Sequence, residues 1–285
     1  MTAVAEIVRV AETDAHEGPV YVAEQEALYF TSLPQRLRVD VKRLDLATGE
    51  VTIVRADANM ANGMALAPDG RLLVCEQGTR DAPARIAALD PATGESETLV
   101  VAWRDLPLNS PNDIVVARDG SIWFTDPSYG FLQGFRPEPQ SGDYVYRHDP
   151  ATGRTDVVAD SFDKPNGLAF SPDESVLYIG DSGANHEVGT YDPRRPHHIV
   201  AFDVRDCRRL ENAHLFAVIA PGFPDGIKVD DEGRVYASCF SGVQIFEPDG
   251  ELVGEIDLPG AVNFAFGGDT LFITTDTAVW AAKGA

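Results

Sequence analysis

Six residues with oxygen-bearing side chains hold the same place in a phrase that recurs along this sequence: Glu17, Asn62, Asn112, Asn166, Asp225 and Asn263. Each opens a short apolar run, and in five of the phrases an acidic turn residue follows seven positions later, at Glu24, Asp69, Asp119, Asp173 and Glu232. Residues that share one phase of a repeat come to equivalent places in space, so these six converge if the repeats circle an axis. Two carboxylates among several amide carbonyls make a hard, all-oxygen environment that suits Ca²⁺, Mg²⁺ or Mn²⁺, and two negative charges balance a divalent ion. Asn-Gly is also an ordinary turn dipeptide, which would reduce Asn62-Gly63 and Asn166-Gly167 to bends in the chain. The same phase carries Glu17 and Asp225, however, and the hairpin turn is already supplied downstream. Glu17, Asn112, Asn166 and Asp225 are therefore the expected metal set, with Asn62 and Asn263 as channel lining. His16 stands beside Glu17, but HEGP is not the HExxH pattern of a zinc-protease helix.

The elements that must position these residues are legible from the same repeat. After the opener comes an apolar strand, a turn, and a second apolar strand ending in Thr, Ser, Asp or Glu, as in NDIVVARDGSIWFTD from Asn112 and NGLAFSPDESVLYIGD from Asn166. Between these phrases lie RLDLATGE (43–50), ALDPATGE (88–95), RHDPATGR (147–154), FDVRDCRR (202–209) and IFEPDGE (245–251), most of them with Asp/Pro/Gly turn chemistry between short strand-like runs. Openers lie 45, 50, 54, 59 and 38 residues apart, a spacing that holds about four strands per repeat. This predicts an all-β, six-bladed β-propeller occupying residues 1–285 as one domain, almost without helix. The segment AEIVRV (5–10) is a free strand that completes the last blade beside AVWAA (278–282), which removes an open sheet edge.

Composition limits the partners. With 23 Lys and Arg against 45 Asp and Glu, the formal charge is −22, so nucleic acid and anionic membrane surfaces are repelled at long range. There is no apolar run of membrane-spanning length, and MTAVAEIVRVAETD does not read as a secretory signal, so a soluble, cytoplasmic protein, monomeric or a small homo-oligomer, is expected. Cys75, Cys207 and Cys239 are odd in number and scattered, which indicates neither a disulfide framework nor a zinc site. GDSGA (180–184) has the letters of a serine-protease nucleophile string without matched His and Asp partners, and it is read as coincidence.

Three segments carry a resemblance. SPNDIVVARDGSIWFTDPSYG (110–130), KPNGLAFSPDESVLYIGDSG (164–183) and FPDGIKVDDEGRVYAS (223–238), in this order, resemble the gluconolactonase and senescence-marker-protein (regucalcin) family across essentially the whole chain. The resemblance implies a six-bladed propeller lactonase, with paraoxonase and diisopropyl fluorophosphatase as more distant architectural relatives. It implies one divalent metal, Ca²⁺ first, with Mg²⁺, Mn²⁺, Zn²⁺ or Fe²⁺ as alternatives. Its ligands fall on Glu17, Asn166 and Asp225, and Asn112 matches the residue that touches the metal or its bound water and substrate. The regucalcin-like branch has an arginine where this chain has Ser110, so sugar contacts do not transfer from it, and FTDPSYG looks more like the bacterial gluconolactonase branch.

The chemistry implied is opening of a sugar lactone to its acid, with Asp225 as general base and Asn112 and Asn166 orienting water and substrate. Two long loops, 127–143 and 182–198, follow second strands and should lie over the site. Tyr129 and Arg136, with the 182–198 loop, are the expected sugar contacts. The competing readings are an organophosphate or aryl-ester hydrolase and a non-catalytic calcium-binding propeller.

Overall fold

Six four-stranded antiparallel sheets follow one another along the chain in the computed structural model, which describes residues 6–186 and 189–284. Blade 1 is built from Val20–Val22, Ala27–Thr31, Val41–Asp45 and Val51–Arg55, and blade 2 from Ala61–Leu66, Leu72–Glu76, Arg85–Leu89 and Ser96–Val100. Blade 3 comprises Ile114–Val116, Ile122–Asp126, Tyr144–Asp149 and Arg154–Ala159, and blade 4 Pro165–Phe170, Val176–Asp181, His198–Arg205 and Arg209–Val218. Blade 5 holds Ile227–Val229, Val235–Cys239, Gly242–Phe246 and Leu252–Asp257. Blade 6 takes Ala261–Gly267, Thr270–Thr275 and Ala278–Lys283, and its fourth strand is Glu6–Glu12 from the other end of the chain. That strand runs antiparallel to Ala278–Lys283 with Glu6 opposite Lys283, so the ring is closed by pairing both ends in one sheet. Residue 5 of the expected closing strand lies outside the described residues.

The propeller follows from where the apolar residues go. Alternate residues of a strand face opposite sides of its sheet, and each blade has apolar residues on both faces. Six buried clusters result, one between each neighbouring pair of blades. Val20, Tyr29 and Val41 of blade 1 meet Met64, Leu72 and Val74 of blade 2. Trp123 and Val145 of blade 3 meet Leu168, Ile179 and Phe202 of blade 4, and Phe272 and Val279 of blade 6 meet Leu28 and Leu44 of blade 1. Cys75 and Cys239 are buried in these layers, as expected of free thiols acting as small apolar groups.

The third-to-fourth-strand turns read from DLATGE-type sequences form as such. At the first, Asp45 Oδ1 accepts the backbone N–H and the hydroxyl of Thr48, each at 3.0 Å. The Asn-Gly pairs behave differently. Gly63 and Gly167 do not have positive φ and do not make turns; they lie in inner strands, where a Cβ would overlap the Asn112 and Asp225 carbonyl oxygens of the next blade. Gly63 N–H donates to Asn112 O at 2.8 Å and Gly167 N–H to Asp225 O at 3.1 Å, so glycine lets successive inner strands approach at the axis. Among the described residues no helix is long and apolar enough to cross a membrane.

Candidate active site

All six openers lie at the start of an inner strand or in the few residues before it, and each is buried or nearly so. Their positions are fixed by two recurring devices on the second strands. The first is a hydroxyl. Thr31 Oγ1 donates to Glu17 O at 3.0 Å and is also in range of Asn62 O at 3.3 Å, while Thr125 Oγ1 reaches Asn166 O at 2.9 Å. Ser238 Oγ bonds to Val262 O, and Thr274 Oγ1 bonds to Asn263 O at 3.0 Å and to His16 O at 2.7 Å. Four blades thus stitch their second strand to the opener region of the next.

The second device is a carboxylate at the end of the strand. Asp126, wholly buried, accepts the backbone N–H groups of Asn109 and Ser110, each at 2.8 Å, and so holds the segment that delivers Asn112. Asp181 does the same for Asn166, accepting from Asp163 at 3.0 Å and Lys164 at 2.9 Å. Burial pushes the Asp126 carboxyl up to about 7, against the two backbone hydrogen bonds that stabilise its charge. The recurring Asp after the second strand is visible in the sequence, but its role is not, because its partners are backbone groups some 16 to 18 residues away.

The openers form one polar cluster. Glu17 Oε2 accepts from Asn263 Nδ2 at 2.8 Å and from Gly18 N–H at 3.1 Å. Asn263 therefore does more than line the channel: it is the side chain that orients Glu17. Asp225 is hydrogen-bonded to Asn166 and lies within electrostatic reach of Glu17, His16 and Asp113. Glu17 and Asp225 are both pushed above the usual carboxylate range, chiefly by burial, with Asp225 adding repulsion at Glu17. The side-chain oxygens Asn62 Oδ1 and Asn112 Oδ1 are buried and accept no hydrogen bond from any described residue. Unpaired buried carbonyls are uncommon and signal a group that would complete them. Asn62, expected to be mere lining, thus has the same signature as Asn112. His16 Nδ1 faces Asp276 Oδ1 at 2.9 Å, and the His16 ring is raised above its ordinary value against the opposing effect of its burial, first by that bond and then by Glu17.

The cluster fits a hard cation by its donors. It offers two carboxylates that stay raised despite the nearby His16, and two orphaned amide oxygens. Among the described residues no trio of His, Cys, Asp or Glu is grouped to hold a metal, so an ion here depends on the amide oxygens as well.

Both long loops lie beside the cluster. The first contains a short helix, Tyr129–Leu132, which brings the buried Tyr129 hydroxyl to 3.5 Å from Ser182 O and near Asn166 and Asp225. Burial, then Asp225, holds this phenol well above its ordinary range, so it stays protonated. Arg136 does not meet the expectation of a sugar contact. Its Nε donates to Asn109 O at 2.8 Å, one terminal nitrogen to Thr79 O at 2.7 Å and Ala82 O at 3.0 Å, and the other to Leu108 O at 3.0 Å. A buried guanidinium with four of its five N–H groups on backbone carbonyls is a clamp between loops. Ser110 is equally structural: its hydroxyl donates to Pro127 O at 2.6 Å and accepts from Gly130 N–H at 2.9 Å. In the second loop Ser182 of the GDSGA string is buried, and its hydroxyl bonds to Pro224 O, one residue before Asp225.

Acidic and amide oxygens thus gather at one end of a six-bladed propeller, a fold that this chain shares with solved gluconolactonases. The chain belongs to the SMP-30/Gluconolactonase/LRE-like family, whose profile matches residues 15–277. It is 32% identical to a gluconolactonase of Zymomonas mobilis over 90% of this chain and 75% of that one. A pentonolactonase of Haloferax volcanii, XacC, is 26% identical over 94% of this chain and 84% of its own length. Among solved structures, the gluconolactonase XC5397 of Xanthomonas campestris superimposes with a TM-score of 0.85 and 34% identity, covering 99% of this chain and 90% of that one.

Proposed function

We propose that this protein hydrolyses sugar lactones to the corresponding acids, using one divalent cation held by Glu17, Asn166 and Asp225, with Asn112 as a further ligand or as the contact to water and substrate. The observation that carries the reading is the pairing of two buried, mutually repelling carboxylates with orphaned amide oxygens, in a chain whose relatives include a gluconolactonase and a pentonolactonase. Ca²⁺ is the first choice for an all-oxygen, part-amide donor set, and Mg²⁺, Mn²⁺, Zn²⁺ and Fe²⁺ are the alternatives. When bound, the ion supplies Lewis acidity toward the lactone carbonyl and charge balance for the two carboxylates.

The chain's own groups divide the remaining work. Asp225 accepts the proton of the attacking water as the water oxygen bonds to the lactone carbonyl carbon. The ring C–O bond then breaks, and the departing alkoxide takes that proton from Asp225 to give the hydroxy acid and restore the carboxylate. Asn166, hydrogen-bonded to Asp225, and Asn112 orient water and substrate. Tyr129, kept protonated, offers an O–H donor to a substrate oxygen beside Asp225. Asn263 keeps Glu17 in place. The propeller acts as one domain, with the loops 127–143 and 182–198 forming the rim.

The test is a panel of five- and six-carbon aldonolactones run beside paraoxon-type phosphoesters and aryl esters, each with added cation and with chelator. Lactone turnover lost on chelation and restored by a divalent cation is expected. Efficient phosphoester hydrolysis without lactone turnover would assign the site to the organophosphate class, and saturable Ca²⁺ binding with no turnover of any of these would make it a binding propeller.

A further inference from the structure

The residue after each opener is glycine in four blades, at Gly18, Gly63, Gly167 and Gly226, and Phe264 in blade 6. Blade 3 departs from this with Asp113. Its carboxylate is 2% exposed; Oδ1 accepts Ile114 N–H at 2.8 Å, whereas Oδ2 is buried and accepts no hydrogen bond from any described residue. The nearest positive charge is Lys228 Nζ, 3.7 Å from that oxygen. Lys228 lies in the inner strand Ile227–Val229 of blade 5, three residues after Asp225. Blades 3 and 5 are separated by blade 4, so the two side chains meet across the channel, beside the openers Asn112 and Asp225.

Three carboxylates, Glu17, Asp225 and Asp113, therefore crowd one end of the axis, each acting electrostatically on the site. One divalent cation neutralises two of them. The third would be left as an uncompensated buried charge, which is strongly unfavourable. We infer that Lys228 is a tethered counter-cation: its ammonium balances Asp113 from within the channel, so that the site takes one divalent ion and not two. The inference rests on the cation-site reading given above. Lys228 touches neither substrate nor ion in this arrangement and acts through Asp113 as a positioning residue. An ammonium suits the place because it is a compact charge on a long stem, able to reach Asp113 from a strand two blades away. The pair is offset beyond hydrogen-bond length, so Asp113 Oδ2 remains open to a small cation once the ammonium is gone.

Calorimetric titration of CaCl₂ into the chelator-stripped full chain measures this independently of turnover. The wild type is expected to bind one ion, Lys228→Met two, and Lys228→Arg one. The double variant Lys228→Met/Asp113→Asn should return to one. A folded Lys228→Met protein with wild-type stoichiometry and affinity would overturn the inference while leaving the site reading intact. A wild type that binds no divalent ion would remove that reading and this inference with it. If Lys228→Met does not fold, Asp113→Asn decides. It leaves the ammonium unbalanced beside Glu17 and Asp225, so Ca²⁺ affinity should fall by about tenfold or more. Unchanged affinity in folded Asp113→Asn would equally overturn it.

Discussion

Asn263 Nδ2 donates to Glu17 Oε2 at 2.8 Å, joining the last opener of the chain to the first, while Asn263 Oδ1 accepts the N–H of Phe264 at 2.8 Å. The amide is thus locked by its own backbone and presents its donor to the carboxylate. A hydrogen bond to a charged group contributes roughly 1.5–3 kcal/mol, and removing this one frees Glu17 to rotate. Asn263→Ala should weaken divalent-cation affinity by about tenfold to a hundredfold, since each 1.4 kcal/mol is about tenfold. Asn263→Asp should do worse, because it sets a carboxylate against Glu17. Cation titration of both variants, alongside thermal melts to confirm folding, checks the order.

The raised carboxyls give a pH prediction with a definite sign. A carboxyl whose folded-state pKa lies above its unfolded value holds its proton more tightly when folded, so stability falls as pH rises between the two. For Glu17 and Asp225, both raised by burial, the loss begins above about pH 4, where unfolded carboxyls ionise, and ends once Glu17 has ionised, near pH 8. In chelator the melting temperature should therefore decline across this span. With saturating divalent cation the decline should shrink to the part owed to Asp126 and His16, also raised, because the ion favours the charged forms of Glu17 and Asp225. A chelated protein whose melting temperature climbs from pH 5 to pH 8 would contradict this account of the pair.

Asp126 gives a prediction that separates support from chemistry. It accepts two neighbouring N–H groups in a buried setting, and loss of a partner leaves each donor costing roughly 1–3 kcal/mol. Asp126→Ala should lower stability by about 2–6 kcal/mol and loosen the segment that carries Asn112. Denaturant melts measure the first effect. The second should register as a higher KM with cation stoichiometry unchanged.

The repeat phase made the blades, the closing strand and the convergence of six openers legible, because a fixed hairpin repeated at variable spacing permits few other folds. Tertiary placement was not legible where the decisive partners are backbone atoms. Arg136 reads as a loop arginine available to a sugar, yet four carbonyls contributed by Thr79, Ala82, Leu108 and Asn109 surround it. Those carbonyls carry no signature in residue type. Gly63 and Gly167 look like turn residues until the neighbouring strand is in place and the missing Cβ proves to be what matters. Asn62 and Asn263 share one repeat phase, and the difference between them, an open oxygen in one and a locked amide in the other, depends on neighbours in adjacent blades.

Asp225 carries the sharpest mechanistic prediction, because it is proposed to serve as ligand and base together. Asp225→Asn retains an oxygen donor but removes a charge and the proton acceptor, so cation affinity should fall and turnover should fall further. The two losses separate when the variant is assayed at saturating cation. If Asp225 is the base, kcat stays depressed by roughly 10²–10⁴-fold even with the site filled, the usual scale for losing a general base. If turnover instead returns to near the wild-type rate, Asp225 is a ligand alone and the proton goes elsewhere. His16, 2.9 Å from Asp276 and beside Glu17, is then the next candidate, and His16→Gln at saturating cation would test it. The melting temperature of Asp225→Asn in chelator should equal or exceed that of wild type, since one of two repelling buried carboxylates is gone. A large drop there would mean that Asp225 holds the fold, and the kinetic loss could not be assigned to chemistry.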